Sequence, residues 1–427
     1  MKKVFISVTI VMGRGSLRHK EETKYHPILE RFEGNPILEP EPKHWWESKA
    51  VFNPGALYED GKVHLVYRAI GDSDVSVLGY ASSVDGFHID ERLDEPIYVP
   101  REPFEGAGSV HPKLSYYEST YVSGGGMGGC EDPRLTKIDD RVFMTYVAFD
   151  GYNPPRVALT SIHIGDFLAR NWQWKKPVLI SPPGVVDKNA CILPEKINRK
   201  YVIFHRIFPD ILIDFVDDLD FDGTTRWLKG EFRIPTRASY WNSRKVAAGP
   251  PPIKTKDGWL LIYHAVDDRD PLHYKIGAML LDLEDPTRVL ARSEEPILEP
   301  QARYENEGWK SGVIYPCGAV VVKDRLLVYY GGADKVACVA SAKLGEFLEQ
   351  LISVRELVPS GICAPPRDIG TPTVTTIKVE RIQAYCVKCR TKREMKNAQA
   401  ITMKNGKPAT EGVCPVCGTK MFRIGKV

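Results

Sequence analysis

An apolar run, a short polar turn and a second apolar run that ends on a polar residue recur five times along the chain. Each copy predicts a β-hairpin, because Val, Ile, Leu, Tyr and Phe fill the runs and Asp, Asn and Gly are common in the turns. Between successive turns lie 59 to 79 residues, which is room for two further strands per copy. The turn pairs are Asp60-Gly61, Asp139-Asp140, Asn198-Arg199, Asp257-Gly258 and Lys323-Asp324.

Five units of four strands predict an all-β fold, a five-bladed β-propeller over residues 31–357. A propeller closes its sheets around a central channel and so leaves no long exposed edge. The alternative, a pair of β-sandwiches, gives no reason to repeat one hairpin signature five times. A second repeat, "NPILEP" at 35–40 and "EPILEP" at 295–300, has relatives that place prolines at positions 36, 96, 177, 235 and 296. This repeat is interpreted as marking the boundaries between successive blades.

Composition indicates a soluble globular protein, with 43% hydrophobic and 26% charged residues. No apolar run approaches the roughly 18 residues of a membrane helix, so no membrane partner is expected. The apolar segment Val4–Met12 is short and lacks a small-residue cleavage site. Residues 1–30 are therefore predicted as an N-terminal extension, with a signal peptide as the alternative. Nine cysteines, four of them in two Cys-x-x-Cys pairs, favour metal binding in a reducing compartment and a cytoplasmic location.

The repeat aligns polar residues at the end of the second strand of each hairpin. Strand ends at one level of a propeller converge on its axis, so these positions predict either a solvated rim or a site. Three cationic or imidazole side chains at equivalent levels would repel one another unless an anion lay between them, which favours a site. The aligned residues are Tyr67-Arg68, Tyr146 with Asp150, His205-Arg206, Tyr263-His264 with Asp267, and Tyr330 with Asp334.

The most distinctive local motif is "GGGMGGCEDPRL", Gly124–Leu135. Glycines let a backbone approach a ligand closely, and a carboxylate beside them can act as a general acid or bind sugar hydroxyls. Taken alone, the Glu-Asp-Pro-Arg segment is also explained by a turn with a salt bridge. Its meaning therefore depends on the other motifs of the chain.

Seven motifs, in order, resemble those of glycoside hydrolase family 130. They are "FNPGA" from Phe52, "YRA" from Tyr67, "CEDPRLTKID" from Cys130, "LPEKI" with "FHR" from Leu193 and Phe204, "GPPPIKTKDGWLLIYHAVD" from Gly249, "LLDLEDP" from Leu280 and "VYYGGAD" from Val328. The resemblance covers roughly residues 30–355 and implies a five-bladed propeller. It also implies inverting phosphorolysis, in which inorganic phosphate attacks a terminal β-mannoside, linked β-1,2 or β-1,4, and releases α-mannose 1-phosphate.

The resemblance assigns roles to residues as well. Asp132 would be the only catalytic acid and would pass its proton through a sugar hydroxyl to the glycosidic oxygen. Water needs a second carboxylate to activate it, whereas phosphate is already an anionic nucleophile and needs cations. Phosphate-binding candidates are Arg206, Lys245, His264 and Lys188, the last where arginine would be expected. Substrate-binding candidates are Asn53, Arg68, Asp334, His205 and Tyr240, with packing between blades as the alternative for His205 and Tyr240. Phosphate is a co-substrate, and no catalytic cofactor is expected.

Two other functions remain open on the same fold. Some relatives hydrolyse their substrate, and a hydrolase would be expected to replace the cations by carboxylates that activate water. The retained Arg206, Lys245 and His264 favour phosphate instead. A non-catalytic propeller that binds glycans or proteins would have little need for a carboxylate motif beside a cationic cluster.

The last part of the chain is distinct in charge and motif. Residues 378–427 hold 12 Lys and Arg against 3 Asp and Glu, so they carry +9 and the remaining residues −6. Residues 358–382 are predicted as a linker and 383–427 as a zinc ribbon, in which a structural zinc is bound by Cys386, Cys389, Cys414 and Cys417. The basic ribbon predicts either a nucleic-acid partner or a docking or oligomerisation module.

Overall fold

A computed structural model describes residues 28–107, 126–353, 383–394, 396–402 and 408–424. The chain separates into two compact units, Met1–Pro366 and Arg367–Val427. The predicted linker at 358–382, nearly all of the predicted N-terminal extension and the first two residues of the glycine-rich motif lie outside the described residues. Among the residues described, neither α-helix has the length and apolar character needed to span a membrane.

The first unit consists of antiparallel strands in five groups, each built around one predicted hairpin. Group I contains β2 (Ala50–Glu59), β3 (Lys62–Ile70), β4 (Ser76–Ser83) and β5 (Glu91–Arg92). Group II contains β6 (Gly129–Ile138), β7 (Arg141–Phe149), β8 (Arg156–His163) and β9 (Val178–Leu179). Group III contains β10 (Lys188–Ile192), β11 (Tyr201–Arg206), β12 (Ile211–Val216) and β13 (Phe232–Ile234). Group IV contains β14 (Lys245–Ala248), β15 (Ile253–Thr255), β16 (Gly258–Asp267), β17 (Asp270–Leu281) and β18 (Val289–Arg292). Group V contains β19 (Ile314–Val322), β20 (Arg325–Gly332), β21 (Val336–Lys343) and the N-terminal β1 (Glu30–Arg31).

Short helices connect some of these strands. The α-helices are α1 (Ile164–Leu168) and α2 (Leu344–Ser353), and 3-10 turns occupy Pro103–Glu105 and Arg303–Glu305. All five predicted hairpins are confirmed by the strand pairing. Asp60, Asp139, Asn198 and Lys323 adopt the left-handed backbone that tight hairpin turns require. The sequence-level assignment to an all-β fold is therefore correct.

The groups contact one another in cyclic order. The first strand of group II touches those of groups I and III, β10 touches β14, strands of group IV touch β19, and β19 touches β2. Groups I and II are also joined by one parallel contact between Ser76 and Gly129. Five clusters of buried hydrophobic side chains fill the junctions between neighbouring groups, including the junction of groups V and I. Burial of these apolar faces against each other is the main source of stability that this arrangement offers.

The proline phrases lie along the outer side of the groups. In three of them, two successive backbone N–H groups donate to one carbonyl of the third strand. Ile37 and Leu38 donate to Ala337, Ile97 and Tyr98 donate to Leu78, and Ile297 and Leu298 donate to Ile276. The phrases therefore act as the outermost strand segments, each just before the chain passes to the next group.

The second strand of each of the five predicted hairpins carries, near its end, a side chain that is tied to the loop before that group. Such a bond fixes how far the second strand is shifted, along the strand direction, relative to the first strand of the same hairpin. The bonded pairs are Tyr67 with Glu47, Tyr146 with Glu105, His205 with Asp187, Tyr263 with Asn242, and Tyr330 with Glu305. Because side chains alternate along a strand, the residue after each of these points to the opposite face.

The fold begins slightly earlier than the predicted boundary at residue 31. Leu29 is buried in the cluster between groups IV and V, and its N–H donates to Ile297. Strand β1 starts at Glu30 and pairs with β21. A two-residue strand has too little sequence pattern to be recognised without its distant partner.

The second unit is a hairpin and a small sheet. The hairpin pairs β22 (Gln383–Cys386) with β23 (Thr391–Glu394), and the sheet orders β24 (Lys396–Thr402), β25 (Pro408–Val413) and β26 (Lys420–Ile424). Each Cys-x-x-Cys pair lies at a tight turn. Arg390 N–H donates to the Cys386 carbonyl and Gly418 N–H to the Cys414 carbonyl, so the two turns have the same local geometry.

Candidate active site

The first strands of groups I, II and III are each interrupted by a register shift near their start. The residues at the shifts are Asn53, Asp132 and Asn189, and all three have positive φ, between 52° and 62°. Asn and Asp tolerate this left-handed conformation better than most residues. A bulge re-aims a side chain out of the regular pleat, so three equivalent strands each present one amide or carboxylate at the same level.

Asp132 lies in a buried network of polar side chains. Asn53 Nδ2 donates to Asp132 Oδ1 at 2.7 Å, and Arg68 Nη1 lies 3.5 Å from the same oxygen. Arg68 also lies 3.2 Å from Glu131, and Lys188 Nζ contacts the other oxygen of Glu131 at 3.3 Å. The structure therefore brings together four residues that the sequence identified, Asn53, Arg68, Asp132 and Lys188, around a second carboxylate that it did not identify.

The surrounding charges decide the ionisation of Asp132. Burial alone would raise its pKa, but Arg68, Arg134, the Asn53 amide and Lys188 together hold the pKa below its ordinary value. Arg134 also donates to the Asp132 carbonyl at 3.0 Å and to the Gly249 carbonyl at 2.7 Å, which fixes the backbone beside the acid. In the free protein Asp132 is thus a carboxylate.

Two glycines leave the room that this network needs. A Cβ at Gly331 would lie 2.0 Å from Asn53 Oδ1, so only glycine lets β20 pass so close to the amide. Gly129 has a φ of +106°, and a Cβ there would lie 2.1 Å from the Ser76 carbonyl. The glycines of the "GGGMGG" motif that the structure describes therefore allow group II to join group I directly before Asp132.

A second set of polar side chains starts from Asn189, on the first strand of group III. Arg206 Nε donates to Asn189 Oδ1 at 3.2 Å, and Asn189 Nδ2 donates to the Tyr315 hydroxyl. Burial raises the pKa of Tyr315, so its hydroxyl stays protonated. The arginine is thereby oriented by an amide, and no carboxylate pairs with it in the described part of the chain.

The same set continues to His264 and Lys245 through aromatic rings. The His264 ring lies 4.4 Å from that of Tyr315 and stacks on Tyr274 at 5.8 Å between centroids. Lys245 Nζ lies 4.0 Å from the centroid of the Tyr274 ring and is bonded to its hydroxyl. Arg206, Lys245 and His264, which the sequence predicted as a phosphate site, are therefore linked in one cluster.

This cluster is short of negative charge. Burial, and then Arg206, Lys310 and Lys188, lower the pKa of Lys245 well below its ordinary value. Burial and the neighbouring cations also lower the pKa of His264, so its imidazole is neutral. His264 Nδ1 is buried and has no hydrogen-bond partner among the described residues. Half-buried cations that destabilise one another, beside an unsatisfied imidazole nitrogen, are the arrangement expected of an anion-binding site.

Asp334 and Lys310 complete the site on the side of group V. Asp334 is buried at the turn between β20 and β21 with a φ of +54°. Burial raises its pKa, whereas the neighbouring Lys310 and Arg68 act to lower it. Burial likewise lowers the pKa of Lys310, and Asp334 counters that effect. The predicted sugar-binding Asp334 therefore shares the buried pocket of Asp132 with an additional lysine.

His205 and Tyr240 have different surroundings from the other predicted residues. His205 Nδ1 lies 2.7 Å from Asp187 and Nε2 lies 2.8 Å from Asp214, so neither ring nitrogen is left for a sugar. Burial would lower its pKa, but the two carboxylates raise it to about 10. Strand alternation places it on the opposite face from Arg206, which favours the packing alternative. Tyr240 is 45% exposed, under the Arg237 guanidinium, and its role in the acceptor subsite stays a prediction.

Several site residues were not identified from the sequence: Glu131, Asn189, Tyr274, Lys310 and Tyr315. Asn189 had a usable signal, because it occupies the same place in its hairpin as Asn53 and Asp132. Glu131 adjoins the predicted acid. The other three lie in segments without a recognisable motif, and only the packing of groups IV and V brings them to the site.

In the second unit, the four predicted metal-ligating cysteines converge. Their sulfur atoms all lie within 4.8 Å of one another. Cys386 Sγ is 3.4 Å from Cys417 Sγ, and Cys389 Sγ is 3.8 Å from Cys414 Sγ. These distances exceed a disulfide bond and match the roughly 3.8 Å between thiolates bound tetrahedrally at about 2.3 Å from zinc.

Residues 20–352 match the family model for beta-1,4-mannooligosaccharide phosphorylase. Residues 385–424 match the model of a domain of unknown function, DUF5679. The chain is 42% identical over 325 residues to the 1,2-beta-oligomannan phosphorylase of a Thermoanaerobacter species, covering 73% of this chain and 96% of that protein. It is 39% identical over 319 residues to the beta-1,2-mannobiose phosphorylase of the same organism, covering 72% of this chain and 94% of that protein.

Among solved structures, the beta-1,2-mannobiose phosphorylase of Listeria innocua in complex with beta-1,2-mannobiose is similar, with a TM-score of 0.58 and 27% identity. The likeness covers 76% of this chain and 99% of that one.

Proposed function

Because the chain belongs to glycoside hydrolase family 130, we propose that it catalyses inverting phosphorolysis of terminal β-1,2-linked mannosides and releases α-mannose 1-phosphate. The choice of linkage is supported by two relatives, 42% and 39% identical, that are both named for β-1,2-mannosides. A relative named for β-1,4-linked mannooligosaccharides is 30% identical.

The observation that carries this proposal is the set of cations beside Asp132. Arg206, Lys245 and the unpartnered His264 nitrogen form a place for an anion, and phosphate is the anion that a phosphorylase consumes. Hydrolysis by inversion needs a second carboxylate that activates water. Glu131, the carboxylate next to Asp132 in the chain, is held by Arg68 and Lys188.

The ionisation of Asp132 and the binding of phosphate are coupled through charge. Asp132 must carry a proton to act as the acid, yet in the free protein the surrounding cations keep it ionised. A bound phosphate offsets those cations, so it raises the pKa of Asp132 and promotes protonation when the nucleophile is present. The proton then passes through a sugar hydroxyl to the glycosidic oxygen as the phosphate attacks the anomeric carbon from the opposite side. The bond between that carbon and the glycosidic oxygen breaks, and the remaining saccharide leaves as the alcohol. The Asn53 amide and Arg68 orient Asp132 throughout.

The test is incubation with β-1,2-mannobiose in the presence and absence of phosphate, followed by assay of mannose 1-phosphate. We expect product only with phosphate, and slower turnover of β-1,4-mannobiose. Release of mannose at the same rate without phosphate would establish a hydrolase instead. Absence of cleavage for every linkage would favour the glycan-binding alternative.

We also propose that the first unit is a closed five-bladed propeller. The proposal is supported by the five antiparallel groups, the contacts that run in cyclic order from group I to group V and back, and a hydrophobic cluster at each junction. Its channel would end at the Asp132 site. A crystal structure with a gap between groups V and I would contradict it.

For the second unit we propose a zinc ribbon. Cys386, Cys389, Cys414 and Cys417 would hold the metal, and since all four positions are protein ligands its role would be structural. Metal analysis of the reduced protein should find about one zinc per chain, and serine at Cys414 should abolish it. The partner of the basic ribbon, nucleic acid or protein, and a homo-oligomeric state stay predictions. A cytoplasmic location is proposed because the free thiols need reducing conditions.

A further inference from the structure

A cavity of about 290 Å³ opens in group II, apart from the Asp132 network. Its walls include Phe104, Asp150, Asn153, Arg156 and Leu179. Its volume lies near the lower end of about 300–1,000 Å³ for ligand pockets, which suits one small unit rather than a whole chain.

Strand register places this cavity near the catalytic acid. Ala148 lines the cavity and pairs with Cys130 on one side and with Arg156 on the other. Neighbouring strands are about 4.8 Å apart, so Arg156 lies about 10 Å across the sheet from Cys130, which is two residues before Asp132. The cavity and Asp132 are therefore at the same end of group II, separated by more than one sugar ring.

The polar groups of the cavity include both donors and acceptors. Arg156 Nε donates to the Ser181 carbonyl at 3.1 Å, while Nη1 has no partner and no carboxylate pairs with the guanidinium among the described residues. The Trp227 ring, 4.6 Å from Arg156 Cζ, holds the side chain in place. Asn153 Nδ2 donates to Asp150 at 2.6 Å, which leaves its carbonyl oxygen as an acceptor.

This mixture selects among ligand classes. An anion would meet the Asp150 carboxylate, and a purely apolar ligand would leave the Arg156 N–H and the Asn153 carbonyl unsatisfied. A polyhydroxylated ring satisfies both, and it can pack its C–H groups against Phe104 and Leu179.

We propose that the cavity is a distal subsite that binds one mannosyl unit of a longer β-mannoside whose terminal unit lies at Asp132. This inference rests on the phosphorolysis proposed above. It predicts that mannosyl units beyond the disaccharide raise kcat/KM, because they add contacts in the cavity to those of the terminal unit at Asp132.

The test compares Arg156→Met and Asn153→Ala with the wild type on β-1,2-mannobiose and β-1,2-mannotetraose, at saturating phosphate. The matched control is Arg141→Met, since Arg141 is a half-buried arginine at the far end of the same group and, among the described residues, its side chain bonds Ser161. We expect kcat/KM for mannotetraose to fall about five- to tenfold in the first two variants and to stay within about twofold for mannobiose. Asn153 is exposed, so its variant separates loss of binding from loss of folding.

Equal losses on both substrates, or no loss on either, would overturn the subsite. So would a wild-type kcat/KM that does not rise from mannobiose to mannotetraose. Direct titration of Asp132→Asn protein with mannotetraose gives a second readout without turnover, and weaker binding after adding Arg156→Met is expected. If the wild type releases no mannose 1-phosphate from any mannoside, the phosphorylase proposal itself fails, which is a different result from loss of chain-length dependence.

Discussion

Replacing Lys245 by methionine tests the anion site most directly, because activity and stability should change in opposite directions. Methionine keeps the length and apolar stem of the side chain but removes the charge. In the free protein Lys245 is half-buried near Arg206, Lys310 and Lys188, and desolvation and these cations lower its pKa well below the ordinary value. The residue is thus unfavourable for folding until an anion arrives.

The loss of function follows from the missing charged hydrogen bond. Such a bond contributes about 1.5–3 kcal/mol, which corresponds to a decrease of about 10- to 150-fold in kcat/KM for phosphate. The dependence on mannoside concentration at saturating phosphate should change much less, because Asn53, Arg68 and Asp132 are untouched.

The gain in stability follows from removing a buried charge that lacks compensation. Apolar replacement of buried ions is often stabilising by about 1–4 kcal/mol, so we expect the free energy of unfolding of the phosphate-free protein to rise by at least about 1 kcal/mol. The pH dependence gives a check of sign. Between the lowered pKa of the folded residue and about 10.4, Lys245 is protonated in the unfolded chain but deprotonated in the folded protein. The stability of the wild type should therefore rise with pH over that range. The variant should lack that rise.

The assays are initial rates over a phosphate series and urea unfolding without phosphate. Arg244→Met is the matched control, since the Arg244 side chain is 48% exposed and lies 3.4 Å from Asp268. It should leave both quantities nearly unchanged. A Lys245→Met protein with an unaltered phosphate dependence, or one that is less stable than the wild type, would refute the anion site as described.

Three further results are expected. Asp132→Asn should lower kcat by at least about a hundredfold while urea unfolding stays cooperative, because the amide keeps the shape but cannot give a proton; normal turnover would exclude Asp132 as the acid. His205→Phe should lower the free energy of unfolding by about 3–5 kcal/mol, because Asp187 and Asp214 lose their shared cation. In the wild type, the stabilisation by His205 should be complete below pH 6.5 and should disappear as the pH rises toward about 10. A wild-type stability that is equal across that pH range would contradict the pairing. Arg390→Gly should raise the free energy of unfolding of the second unit by about 1 kcal/mol, because Arg390 has a φ of +55°, which glycine adopts without strain. A decrease measured by calorimetry would show that the side chain of Arg390 contributes more to stability than its backbone strain costs.

The part of the fold that was predictable from sequence is the part with a local signature. Turn pairs such as Asp60-Gly61 specify their hairpins within a few residues, and the repetition of those hairpins gave the number of groups. The strand β1 has no such signature. It contains two residues, and it is recognisable only through its partner β21, some 310 residues later in the chain.

The site shows the same division between local and distant information. Asp132 and Arg68 were found because each belongs to a short motif at a strand end. His205 shares its motif with Arg206, yet alternation along the strand turns it toward Asp187 and Asp214. Lys310 belongs to a loop without regular structure, and its N–H donates to the Ala333 carbonyl, next to Asp334 in the chain.

The pairing of β1 with β21 has a consequence for synthesis in the cell. Residues 30 and 31 leave the ribosome early, but their partner strand is made only when residues 340 and 341 emerge. Group V therefore cannot acquire its outer strand, nor its contact with group I, until nearly the whole unit has been translated. Groups II to IV can pack in order as they appear, whereas the last junction forms after synthesis. A circular permutant of residues 28–353 alone, with its new ends between groups II and III, would make β1 and β21 close neighbours in the chain, and its final folding step should be faster.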